Sequence, residues 1–318
     1  MLKHFYSSYS PRLGIFPLTL QKNNSNHMKA IKNVLFLILM LMPISSMAKK
    51  KVENPQAEIM VSYNYHEIFV RGGDGIAERD YEFILLTNAE QSKFYPPISE
   101  YLDSLDSTPS GRAQYKQMLS VVMPEVVRTK NYSLVPSKKG HVYVFKNRQE
   151  SVVNVYDFIG LSEFGCYEEP LAEMVWTVGD STKSILGYEC IVAHTDYHGR
   201  HWTVWFAPEI PLQEGPWKLC GLPGLILEAC ESSGQHSFTA TGIELSKKEM
   251  TPVYLLSKYE KLERKELLKR QRYNRDNQET LTHAAFDNML GGGGSANARK
   301  PVERLITDID FLETDYRK

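Results

Sequence analysis

Residues 188–207 read YECIVAHTDYHGRHWTVWFA, and this stretch decides the fold class. Ile191 to Thr195 and Trp202 to Phe206 are rich in β-branched and aromatic residues, which suit a pleated, half-buried surface. Tyr197-His198-Gly199-Arg200 lies between them, and its glycine permits a tight reversal. The expectation is a β-hairpin with strands at 188–197 and 200–207. On the second strand Trp202 and Phe206 share one face and Trp205 takes the other.

The same pattern extends outward. Downstream, strands are expected near 225–231 and 235–243; upstream, near 141–146, 151–158 and 173–178, with Gly, Pro and Asn between them. Ile59, Val61, Tyr63 and Tyr65 alternate with polar residues, as do Tyr81, Phe83 and Leu85. Arg71 to Gly75 (RGGDG) separates these two runs as a turn. Ser107 to Gly111 offers helix-start chemistry. Tyr115, Met118, Leu119 and Val122 follow at helical spacing, and Pro124 is expected to end that helix. A helical segment is expected over 254–290, from Tyr259, Leu262 and Leu267 and then Leu281, Ala285 and Met289. Residues 291–297 (GGGGSAN) read as a flexible loop. Arg304 to Phe311 alternates again and suits a final strand. The expected fold is mainly β, a β-rich α+β protein: a curved antiparallel sheet or partly open barrel with one or two packed helices. No change in composition divides residues 49–318, which are expected to form a single domain.

Residues 28–48 have the layout of a secretory signal. Lys29 and Lys32 supply a short positive region, Val34 to Met42 an apolar run, and Ser46-Met47-Ala48 a cleavage site. The apolar run is too short for a stable membrane anchor. Residues 1–27 are polar and unpatterned and read as a non-native extension before a true start at Met28. The first 48 residues hold five basic residues and no acid, so their removal leaves 32 bases against 38 acids. A mildly acidic exported chain has no electrostatic reason to seek nucleic acid. The expected location is the periplasm or the medium. Four cysteines, Cys166, Cys190, Cys220 and Cys230, permit two disulfides in that oxidising setting. Cys220 and Cys230 could face each other across a hairpin, or all four could be buried thiols.

Residues 215–226 read GPWKLCGLPGLI. Pro223 presets φ for the second position of a turn, and Gly224 can take the positive φ of a type II third position. Leu222, Leu225, Ile226 and Leu227 are apolar on both sides of that turn. It should therefore tuck against the sheet or close one end of a barrel. Gly221 allows close backbone approach. Gly221 to Ile226 resemble the hexapeptide that names the GLPGLI family of exported bacterial proteins. Trp176, Gly187-Tyr188, Cys190, Ala193, Gly199-Arg200, Trp205-Phe206-Ala207, Glu209-Ile210-Pro211, Gly215-Pro216 and the later Lys300-Pro301-Val302-Glu303 extend the likeness. The resemblance implies an exported β-rich protein and carries no activity, cofactor or catalytic residue with it.

The chain has no GxSxG, HExxH, GxxxxGK[ST] or GxGxxG motif. His194, Asp196 and His198 would share one strand face and could ligate zinc or copper, with His201 near them; the alternative is a solvated hairpin end. Trp202, Trp205, Phe206 and Trp217, with Leu222, Pro223 and Gly224, are the candidate binding residues. They either fill the core or line an apolar pocket on the concave side of the sheet. Glu168 and Glu169 are adjacent and point to opposite faces. Glu228 sits in an apolar strand and is the acid expected to be buried, with Arg200 or Lys218 as partner. The leading expectation is a non-enzymatic cell-envelope binding or accessory protein without a cofactor, acting on a hydrophobic ligand, peptide or protein. The alternatives are a hydrolase or metal-dependent enzyme near 194–201 and a structural envelope component.

Overall fold

The structure is a computed structural model that describes residues 54–71, 75–160, 162–171, 173–277 and 310–317. The signal and extension (1–48), the tip of the 71–75 turn, the second half of the helical segment, the 291–297 loop and most of the 304–311 strand lie outside the described residues.

The described chain is mainly β. Twelve strands form one open sheet: β1 (Ile59–Arg71), β2 (Gly75–Thr87), β3 (Gln91–Tyr95), β4 (Tyr143–Asn147), β5 (Val152–Gly160), β6 (Glu163–Pro170), β7 (Thr177–Ile185), β8 (Tyr188–Tyr197), β9 (Arg200–Ala207), β10 (Leu225–Glu231), β11 (His236–Leu245) and β12 (Tyr259–Lys261). The spatial order is β12-β6-β5-β4-β3-β2-β1-β11-β10-β9-β8-β7. Every neighbouring pair is antiparallel except β12 with β6. β1 is central, and its alternation sets the core. Val61, Tyr63 and Tyr65 point to one face, opposite Leu85, Phe83 and Tyr81 on β2. Tyr65 stacks on Phe238 of β11 at 4.6 Å between ring centres, and Phe83 on Phe94 at 4.7 Å. Such pairs add about 1 kcal/mol each beyond the area they bury.

One continuous core joins strands from opposite ends of the sheet. It contains Val153, Val155 and Tyr167 of β5 and β6 together with Ala193, Trp202, Val204 and Phe206 of β8 and β9. The sheet is therefore curved around its own inner face. A smaller core on the outer face joins Ile84, Leu86, Tyr95 and Tyr143 to Met250 and Val253.

Three α-helices are described: α1 (Pro97–Asp106), α2 (Pro109–Thr129) and α3 (Arg264–Asp276). Thr108 caps α2, its hydroxyl accepting from Gly111 N at 3.0 Å. Pro124 does not end α2. It lies exposed inside the helix, which stops where Lys130 turns left-handed (φ 57°) and donates to Val126 O. α1 was not anticipated, although Pro97 at its first turn and buried Leu102 and Leu105 are its signals. The expected helix over 254–290 starts only at Arg264. Tyr259 belongs instead to β12, where its ring meets Tyr156 and Phe164. β3 and β6 were also missed, and the strand expected at 173–178 lies at 177–185.

Candidate functional site

The site grows from three local features. On β6, alternation turns Tyr167 and Glu169 inward and leaves Glu168 exposed. At the β8–β9 turn His198 (φ 49°) and Gly199 (φ 84°) are both left-handed, a type I′ hairpin whose twist matches its strands. Between β9 and β10, residues 208–224 run across the concave side. Gly224 donates to Leu222 O at 2.8 Å around Pro223, while Gly221 N reaches Gln213 O and Ile226 N reaches Glu214 O.

This turn differs from the expected type II geometry. Gly224 is not left-handed; Gly221 is, at φ 93°. The bond around Pro223 spans two residues, as in a γ-turn, which a proline φ suits. Glycine is required at 224 because a Cβ there would lie 2.5 Å from Ala207 O.

Buried lysines tie the loop to distant strands. Lys146 on β4 donates to Gly215 O (3.1 Å) and Leu219 O (3.3 Å) and pairs with Glu214 at 2.6 Å. Ser92 on β3 also donates to Glu214. Lys218, fully buried, lies 2.5 Å from Glu169 and 2.7 Å from Glu313, and donates to Tyr167 OH at 2.8 Å. His198 faces Glu169 at 3.5 Å and Asp315 at 3.4 Å. Arg264 of α3 pairs with Glu313 and, at 2.5 Å, with Asp315. β6, the β8–β9 turn, the 208–224 loop, α3 and the C-terminal segment thus converge on one charged cluster.

Burial alone would raise the Glu169 carboxyl, but His198 and Lys218 outweigh it and hold it down at about 2. Glu313 and Asp315 are held below the usual carboxylate range in the same way, against their burial, by Lys218, His198 and Arg264. A depressed carboxylate stabilises the fold above its unfolded pKa, and that contribution disappears as pH falls through its folded value. Stability should therefore drop between pH 4.5 and pH 2. Glu169 alone should contribute about 3 kcal/mol of that drop. Urea unfolding at pH 5 and pH 3 measures the upper part of it, about 2 kcal/mol for Glu169. A Glu169→Gln variant should lose less stability than wild type over the interval, and an equal loss would refute the assignment.

The predicted metal triad does not assemble. His194 bonds Thr203 at 3.0 Å, and the exposed Asp196 bonds His201 at 2.9 Å. The left-handed turn at His198 breaks the strand alternation and swings its ring inward. There His198, Glu313 and Asp315 bring ligand atoms within 4.8 Å of one another, but Arg264 already engages both carboxylates. The predicted aromatic pocket is filled. Trp202, Phe206 and Trp217 are core residues, with Trp202 and Trp217 ring centres 5.8 Å apart. Leu222 is buried in the same core, and the loop containing Pro223 and Gly224 occupies the concavity. A small depression of about 130 Å³ beside Tyr156 and Lys261 is below the size of an ordinary ligand pocket. Glu228 is half-buried and pairs with Lys183 at 2.6 Å, while Arg200 pairs with Glu231 and Lys218 with Glu169. All four cysteines are free. Cys230 shares the Glu228 face of β10, whereas Lys146 ties the loop carrying Cys220 to the other side of the sheet.

Trp205 is the one predicted aromatic on the face opposite the core. It is half-buried, lies beside Glu228 and Val192 by register, and has the Lys183 ammonium 4.5 Å from its ring centre. Thr203, His194, Asp196 and His201 continue this polar face along the same strands.

Residues 167–268, from β6 into α3, match the family described as N-glycanase peptide, N-terminal domain. The chain is also similar to two solved structures of PNGF-II, in space groups C2 and P21. Their identities are 15% and 17%, each with a TM-score of 0.43, over 68% of this chain and 32% and 34% of theirs. The chain therefore spans about a third of the length of those structures. No curated protein matches it.

Proposed function

We propose that this is an exported accessory domain that binds glycosylated polypeptide through the Trp205 face of β8–β10, without catalysing a reaction on it. The observation that carries the reading is the family match over residues 167–268, whose named domain accompanies an N-glycanase and whose span contains that face. The chemistry of the face supports it. A half-buried indole offers apolar surface to a sugar ring beside the Lys183 ammonium that lies over it, and Lys183, Glu228, Thr203 and His194 offer donors and acceptors. Export follows from the signal layout of residues 28–48, and attachment to the GLPGLI family is part of the same reading.

The test is titration of the purified chain with an N-glycosylated peptide and with the same peptide freed of its glycan. The glycosylated form should bind, and Trp205→Ala should weaken it by about tenfold or more, as central tryptophans in interfaces do. Equal binding of both peptides, or of the variant and wild type, would contradict the proposal.

A further inference from the structure

The C-terminal residues 310–317, DFLETDYR, lie along a row of cations supplied by the folded core. Asp310 meets Arg272 and Arg275 of α3, and Arg317 and the Tyr316 hydroxyl of the segment itself. The Phe311 carbonyl accepts from Arg200, and its ring lies 4.2 Å below the Arg275 guanidinium. Glu313 meets Lys218 and Arg264, and Asp315 meets Arg264. Thr314 donates twice to the β8–β9 turn, its N–H to His198 O and its hydroxyl to Gly199 O. A Cβ at Gly199 would collide with this segment.

The buried cations of the groove keep carboxylate partners outside residues 310–317. Arg200, 6% exposed, keeps a core partner in Glu231 at 2.9 Å, and the fully buried Lys218 keeps Glu169. Arg272 keeps Asp276 at 2.8 Å. Arg264 and Arg275 stand on α3, a single surface helix, where water can replace the segment's carboxylates. Without residues 310–317 no fully buried cation would lose its only carboxylate, while the buried Tyr316 and the bonds of Asp310 O to His236 and Arg200 would be given up.

We infer that this groove is a peptide-binding site for acidic segments of the pattern Asp-Phe-x-Glu-x-Asp-Tyr, occupied in cis by the chain's own C-terminus. Three guanidinium groups (Arg264, Arg272 and Arg275) and the Lys218 ammonium read the carboxylates, Arg200 reads the main chain, and Arg275 also reads the aromatic ring. The site is distinct from the Trp205 face and holds whether or not that face binds glycans. A tethered segment competes at millimolar effective concentration, so an external peptide enters only when the resident one is released.

The experiment uses the whole chain with a specific protease sequence inserted in the glycine run 291–294, where no side chain is replaced. After cleavage, a fluorescent DFLETDYR peptide is added, alongside a version carrying Asp310→Asn, Glu313→Gln and Asp315→Asn. The cut protein should stay folded by circular dichroism and exchange its own segment for the labelled acidic peptide. Binding should weaken with added salt, and the neutral version should bind at least tenfold more weakly. The uncut chain should bind neither. Unfolding on cleavage, failure of the acidic peptide to exchange, or equal binding of the neutral peptide would each overturn the inference.

Discussion

Gly224→Ala should lower the melting temperature by roughly 6–12 °C, whereas Gly242→Ala should leave it unchanged or slightly raised. At 224 the new methyl would meet Ala207 O at 2.5 Å, Ala207 C at 2.8 Å and the Phe206 ring at 3.0 Å. Two of these are backbone atoms of β9 and cannot rotate away. Gly224 must also keep its bond to Leu222 O while Leu225 N holds Ile210 O. Relief therefore requires the loop to lift from β9, which exposes part of Leu222 and Leu225. Overpacking of this kind costs about 3 kcal/mol. At 242 a methyl meets nothing within 4 Å and the backbone is not left-handed. There the change only reduces the freedom of the unfolded chain. Calorimetry of the two variants separates steric need at 224 from the general effect of replacing glycine. Equal shifts would remove the steric explanation.

Lys218→Met should destabilise the fold by about 3–5 kcal/mol, the usual result of breaking a buried ion pair from one side. The methionine can fill the space beside the Tyr167 and Trp217 rings, over which the ammonium sits at 4.9 and 5.4 Å. It cannot answer Glu169 and Glu313, which are 13% and 5% exposed. His198 and Arg264 remain near both carboxylates but already face Asp315 as well. The variant should regain stability when Glu169 is also changed to Gln, since one uncompensated charge is then removed. Urea unfolding of the two single variants and the double variant gives this coupling. Additive losses would mean that Lys218 and Glu169 do not act as a pair.

The hairpin at 188–207 was legible because each strand carries its own alternation and the reversal contains Gly199. β10 was legible for the same reason. β6 was not, because its inward positions are Gly165, Tyr167 and Glu169, of which only Tyr167 carries an apolar side chain. β3 hid its strand character behind Lys93, a buried lysine whose ammonium pairs with Glu100 of α1. The clasp residues left one signal unused. Lys218 stands alone among Trp217, Leu219, Cys220 and Leu222, and a charge inside an apolar run has to find a buried partner. Its partners are 49 and 95 residues away in sequence, so spacing could not identify them. The metal triad failed for the opposite reason. Alternation holds only while the strand lasts, and His198 is the first residue of the turn.

The most direct test concerns the closure of the sheet on itself, from β6 to the β8–β9 turn. Spin labels placed through non-native residues at the exposed positions 168 and 201 report the separation of these two regions by pulsed electron resonance. Wild type should give one narrow distance distribution, and Lys218→Met a broader one shifted to longer values. A broad distribution already present in wild type, or one untouched by the loss of Lys218, would contradict a sheet clasped shut by Glu169, Lys218 and Glu313.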